Sequence, residues 1–243
     1  MEQIYTIPVN EAFDLASEKA LGEGPEKTPV CPLCHLRETL NEGELERILG
    51  AAMMEPDVRI ETNREGFCGA HFRAMLKRKN RLGLALILES HLDSVRDGVK
   101  KAPTDLLKGA GASAVSYLEK LDASCYLCAR IDGHFDRMVD TVFYLYRTDD
   151  SFKRKVEGQH FFCLPHYKRL LIEGKAKLPK KVFPDFYKTL DGIERAYLDS
   201  LREDVSWFCK KFDYRYDDEP WYNAKDSIER TVCCLSGTED AVL

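Results

Sequence analysis

The sequence predicts an all-α protein made of two similar helical repeats, each holding a metal site of three cysteines and one histidine, packed as one globular unit. Three observations support this. Apolar residues recur at helical spacing through much of the chain, the cysteines fall into two matched sets, and the residues flanking those sets repeat as well.

The chain has 243 residues, 44% of them hydrophobic and 32% charged, a composition able to bury a real core. No stretch approaches the roughly 18 apolar residues that a membrane span requires. The opening MEQIYTIPVNEAFD lacks both the basic and the apolar region of a secretory signal, so a cytoplasmic location is expected. A formal net charge of -5 speaks against wholesale nucleic-acid binding, and the run Lys77, Arg78, Lys79, Asn80, Arg81 reads as a solvated helix face.

Residues 1–30 are expected to form an N-terminal helix and a lead-in. Asn10 is placed to cap a helix running through Phe13, Leu15 and Ala16 towards Leu21, with Gly22 and Gly24 ending it. The first repeat, 31–104, follows. Leu36, Leu40, Leu45 and Ile48 suit a helix ended near Gly50, and a short helix is expected from Val58 to Arg64. Leu82 to Val99 reads as a long helix with Leu84, Ile87, Leu88, Leu92 and Val95 on its inner side. Pro103 and the Gly109, Ala110, Gly111 run suggest a linker, placed at 105–124.

The second repeat, 125–213, is expected to carry helices from about Ala129 to Tyr146, Pro165 to Ile172 and Phe186 to Phe212. Val139, Val142, Phe143 and Tyr146 favour a strand by residue type, but the segment is long and its charges fall on one side, which predicts helix. Residues 214–243 form an aromatic and acidic tail. Its Tyr214, Tyr216, Trp221 and Tyr222 are expected to pack back onto the helices rather than to form a surface for a partner or a cationic ligand.

Nine cysteines in a reducing compartment are read as metal ligands before disulfides. The first set is Cys31 and Cys34 followed by Cys68 and His71; the second is Cys125 and Cys128 followed by Cys163 and His166. Cys34 to Cys68 spans 34 positions and Cys128 to Cys163 spans 35. Leu92 to Val99 aligns with Leu198 to Val205, five of the eight pairs being identical, and an insertion of 11 residues in the second copy is placed near Lys175 to Pro184. A tight turn in Cys-x2-Cys lets two sulfurs reach one ion at roughly 2.3 Å. Each Cys-x2-His stands at the start of a helical run, where residues i and i+3 share a face and the free N–H groups favour thiolate.

The expected quartets are therefore Cys31, Cys34, Cys68, His71 and Cys125, Cys128, Cys163, His166, each holding one zinc ion; exchange of half-sites between copies is left open. Four protein donors fill a tetrahedron, as in structural zinc, whereas catalytic zinc keeps a position for water. An iron-sulfur cluster is the alternative occupant. A thiol-disulfide role finds no thioredoxin-like strand and helix around the cysteine pairs. His35 and His160 stand near enough to compete as fourth ligands, but neither has a counterpart in the other copy. His91 and His134 read as ordinary surface or core residues, Cys209 as a small buried hydrophobe, and Cys233 with Cys234 as part of a frayed tail.

No catalytic residue is assigned, because no matched pair of reacting groups and no phosphate-binding glycine loop is present. The expected function is a non-enzymatic zinc protein that binds another macromolecule. The alternatives are a metal- or redox-responsive regulator, an iron-sulfur protein, and a metalloenzyme that would draw its acids from Asp57, Glu61, Asp149 and Asp150, placed in loops near the half-sites.

Nearly the whole chain resembles an uncharacterised family of bacterial proteins found chiefly among clostridia, a domain of unknown function with the duplicated motif. The resemblance rests on the opening Tyr5 to Phe13, the Cys-Pro-Leu-Cys turn, Gly66, Phe67 and Cys68 with His71, Asn80 to Leu86, and Phe212 to Arg215 before Pro220 and Trp221. It implies a compact protein carrying both cysteine sets and brings no activity with it. The second copy departs from the Gly-Phe-Cys pattern in having Phe161 where Gly66 stands, which leaves the ligands intact.

Overall fold

The computed structural model describes residues 3–21, 30–100 and 109–237. Helix is the regular structure these residues adopt, with no strand among them, and no helix among them is long and apolar enough to cross a membrane. In chain order they form α1 (Thr6–Leu21), α2 (Pro32–Leu49), α3 (Pro56–Glu65), α4 (Gly69–Lys77), α5 (Arg81–Gly98), α6 (Ala112–Asp122), α7 (Tyr126–Thr148), α8 (Asp150–Glu157), α9 (Leu164–Lys177), α10 (Phe183–Lys210) and α11 (Ser227–Ser236). A cysteine pair begins each of α2 and α7, and a Cys-x2-His pair begins each of α4, with 9 residues, and α9, with 14.

Several boundaries follow from capping chemistry. Asn80 caps α5 through its side-chain oxygen, which accepts from Gly83 N at 2.9 Å. Asp149 caps α8, a helix absent from the expected set, by accepting from Ser151 N at 2.8 Å and Phe152 N at 3.3 Å. Asn10 does not cap α1. The helix starts at Thr6 with Pro8 in its first turn, where a missing N–H costs nothing, and the Asn10 amide donates to Thr6 O instead. Gly22, Gly24 and Pro103 lie outside the described residues. The segment expected as a linker carries α6, entered through Gly111 at φ 84°.

The chain divides into two compact units, one of residues 1–38 and 136–241, the other centred on residues 39–135. The divisions fall inside α2 and α7. In the first unit α1 buries Val9, Ala12, Phe13 and Ala16, and Phe13 packs against Phe152 of α8 at 4.9 Å between ring centroids. Val139, Val142, Phe143 and Tyr146 are all buried in helical conformation, so side-chain periodicity overrides their strand preference. Phe186 meets the Tyr146 and Phe143 rings edge-on.

In the second unit Leu45, Ile48 and Leu49 of α2 form a core with Phe67, Met75, Leu84, Ile87, Tyr126, Leu127 and Ile131. On α5 the inner face continues from Ile87 to His91, which is 7% exposed, and leaves Leu92 at 64%. Four residues advance a helix by about a full turn and five overshoot it, so the expected inward Leu92 is corrected to His91.

Two further expectations are corrected in the first unit. Cys209 is exposed rather than buried, because the aromatic tail packs on its neighbours: Trp207 meets Tyr216 and Tyr222, and Phe208 meets Trp221. Cys233 and Cys234 belong to α11, with Cys234 fully buried, since α11 docks on α9 and α10. Arg230 anchors that helix through Asp204 and Asp226, each at 3.0 Å. The tail folds back in part, through Tyr216, Trp221 and Tyr222, while Tyr214 stays 82% exposed; Lys211 Nζ donates to the carbonyls of Tyr216, Asp217 and Glu219 and lies 5.5 Å from the Trp221 ring centroid.

Candidate metal centres

Each half-site is the first turn of a helix. The carbonyls of Cys31, Cys68, Cys125 and Cys163 accept from the N–H four residues on, at His35 (3.1 Å), Phe72 (3.0 Å), Ala129 (3.0 Å) and Tyr167 (2.8 Å). Cys-x2-Cys is thus no free-standing tight turn. Its second cysteine lies one helical turn above the first, and the i, i+3 geometry that presents Cys68 with His71 also presents Cys31 with Cys34. Two helix N-termini converge on each site, and their unpaired N–H groups favour anionic sulfur.

The structure brings together Cys31, Cys34, Cys163 and His166 in the first unit, and Cys68, His71, Cys125 and Cys128 in the second, the four donor atoms of each group lying within 4.8 Å of one another. In the first group the His166 Nδ1 is 3.1 Å from Cys163 Sγ, 3.3 Å from Cys34 Sγ and 3.7 Å from Cys31 Sγ, and Cys34 and Cys163 are 3.5 Å apart. In the second, His71 Nδ1 is 3.2 Å from Cys68, 3.3 Å from Cys125 and 3.4 Å from Cys128, and Cys68 and Cys128 are 3.8 Å apart. A tetrahedral zinc ion sets sulfur–sulfur separations of about 3.8 Å and sulfur–nitrogen separations of about 3.6 Å. The donor sets fit one ion each. The outer ring nitrogen of His71 is fixed by Asn41 Oδ1 at 3.1 Å, which holds Nδ1 free to act as a ligand.

All eight expected residues are therefore clustered, but the pairing is corrected: each group takes one half-site from each copy. In the second group His71 docks on Asn41 of α2. A backbone bond then ties Cys68 to its actual partners, Tyr126 N donating to Gly66 O at 3.0 Å. The corresponding positions in the other group are Pro32 and Phe161, and proline has no N–H to donate. The departure of Phe161 from the Gly-Phe-Cys pattern thus goes with a change in the opposite copy. At Gly66 φ is 60°, and an added Cβ would stand 2.8 Å from Leu121 Cδ1.

Crowded sulfurs cannot all ionise without a cation. Hydrogen bonds from Cys163 and Cys31 pull the Cys34 thiol far below its usual value despite its burial, while burial, with Cys163 and Cys34 beside it, pushes Cys31 well above. In the second group burial and the nearby Cys125 push Cys128 up; against burial, the backbone N–H of His71 holds Cys68 down. A divalent ion would supply the missing positive charge. Beside this group Glu44 accepts from Arg47 at 2.8 Å and Arg130 at 3.0 Å, and both guanidinium groups lie over the Tyr126 ring. Against the burial that would raise it, Arg130 and Arg47 hold the Glu44 carboxyl below its ordinary range. Nothing local in the sequence marks Asn41, which meets His71 thirty positions on, and the nearby Arg47 gives no hint that Glu44 also meets Arg130.

His35 and His160 belong to neither group, in keeping with their lack of counterparts. The loop acids are corrected. Asp57 and Glu61 are exposed on α3, Asp149 is spent as a cap, and Asp150 is exposed.

His91 packs beside Gly66 and the Phe72 ring, its Nδ1 without a partner among the described residues, and burial lowers its pKa. An unfolded histidine takes up a proton below a pH of about 6.5. Buried His91 resists doing so, so its stabilising contribution is complete above that pH and declines as pH falls through the window beneath it. The urea midpoint of His91→Gln is expected to fall less between neutral and mildly acid pH than that of the parent, because protonation of the thiolate sites is common to both; equal slopes would assign the loss elsewhere.

Neither a curated protein nor a solved structure matches the chain. Residues 1–241 match a family of unknown function, DUF6062, and the chain belongs to that family.

Proposed function

We propose that each group binds one zinc ion in a closed, structural site, and that the protein is a non-enzymatic helical scaffold that presents its surface to another macromolecule. The observation that carries this reading is the convergence of four protein donors on one point in each unit. With all four positions taken, no place remains for the water that catalytic zinc activates. The chemistry the ion supplies is charge neutralisation and cross-linking: it joins the starts of α2 and α9 in one unit and of α4 and α7 in the other.

Donor separations also favour zinc over an iron-sulfur cluster, whose ligands are distributed over several irons. Thiolate with imidazole is a donor set suited to zinc. A cytoplasmic location agrees with the number of free thiols. Elemental analysis of the purified protein should find two zinc ions per chain and a colourless solution. Iron with sulfide and visible absorption would overturn the zinc assignment, and metal-free protein would overturn the sites themselves.

A further inference from the structure

The two sites differ in what covers them. In the first unit Cys31, Cys34, Cys163 and His166 are 0%, 1%, 0% and 4% exposed. The cover is the end of α11. Gly237 closes that helix at φ 78°, is itself buried, and comes so near the sulfurs that a Cβ on it would stand 3.4 Å from Cys163 Sγ and 3.6 Å from Cys34 Sγ. In the second unit only Cys125 is buried, and Cys68, His71 and Cys128 are each partly exposed. The sulfurs of the two partly exposed cysteines, Cys68 and Cys128, face each other at 3.8 Å across the site. A disulfide needs about 2.05 Å, so a modest closure of two side chains at helix starts would join them.

We infer that Cys68 and Cys128 are a peroxide-oxidisable pair that opens the second unit's metal site while the first unit's site stays closed. The inference rests on the zinc reading above. The oxidant is hydrogen peroxide. Starting at Cys68, the thiolate attacks a peroxide oxygen, the O–O bond breaks, and the departing hydroxide takes a solvent proton to become water, leaving a sulfenic acid. The Cys128 thiolate then attacks that sulfur. An S–S bond forms, the S–O bond breaks, and the second hydroxide leaves as water with another solvent proton. Two thiolates are oxidised by two electrons in all, and one peroxide is reduced to two waters. Only Cys125 and His71 remain as donors, too few to hold zinc against a chelator. Reduction of the disulfide restores all four.

The same pair in the first unit, Cys34 and Cys163, is closer still at 3.5 Å, so sulfur proximity alone would oxidise it first. Access decides the order, and access follows from α11.

The test treats zinc-loaded full-length protein with graded hydrogen peroxide, follows zinc with a chromogenic chelator, and maps blocked thiols and linked peptides by mass spectrometry. One of the two zinc ions should leave first, with a Cys68–Cys128 linked peptide and with Cys31, Cys34 and Cys163 still reduced; a thiol reductant with added zinc should restore the full content. Parallel loss of both ions, earlier oxidation of Cys34 and Cys163, or a Cys125–Cys128 link in place of the expected one would overturn the inference and leave the zinc reading standing. Protein purified without metal would sink the zinc reading itself, and the inference with it.

Discussion

Replacing Cys34 and Cys163 together by serine is expected to remove one zinc ion from the protein, whereas replacing Cys34 and Cys68 together should remove both. The first pair lies in one group and the second pair is split between groups. Pairing within each sequence copy predicts the reverse, since Cys34 would then share its ion with Cys68. Each single variant should lose one ion, so the doubles alone separate the two arrangements. Serine keeps the size of cysteine but supplies no thiolate, and three remaining donors in a site of this kind yield their zinc to a competing chelator. Zinc content after exposure to a weak chelator gives the answer as an integer. One ion retained by Cys34→Ser with Cys68→Ser would refute the exchanged pairing.

Complete removal of metal is expected to have the largest effect on stability. A structural zinc site is worth on the order of 10 kcal/mol in small peptides, and a whole domain is stable by only about 5–15 kcal/mol. Each unit has one site at the meeting of two helix starts, where unpaired thiols would replace four bonds to an ion. After dialysis against a strong chelator the thermal transition should move down by tens of degrees or lose its cooperativity, and zinc should restore it. Trp207 and Trp221 both lie in the first unit, so their fluorescence reports that unit while circular dichroism reports the whole chain. An unchanged transition in metal-free protein would end the structural role of the sites.

Much of the helical framework was legible because its signals are local. Periodic leucines announced α2 and α5, Asn80 caps the latter, and the length and charge placement of α7 outweighed its β-branched residues. The short α8 and α6 escaped, the first because Asp149 reads equally well as a loop acid and the second because the glycines before it suggested a linker. Face assignments failed where one residue of register separates inside from outside, as at His91 and Leu92, or where a distant segment decides burial, as at Cys209 and Cys234.

The metal chemistry divides in the same way. The sequence by itself singled out the eight cysteine and histidine side chains that the fold gathers into two groups, because Cys-x2-Cys and Cys-x2-His are relations across a single helical turn. It left the partners of each half-site undecided, since two half-sites of each kind, separated by 34 and 35 positions, are chemically interchangeable. Tertiary structure chose between them. Within the second unit the bond from Tyr126 N to Gly66 O ties one pair of half-sites together, and it has no counterpart where Pro32 stands. Only the folded chain, too, laid Gly237 over one pair of sulfurs and left Cys68 and Cys128 within reach of solvent, because accessibility depends on what packs against a group and not on the residues beside it in the chain.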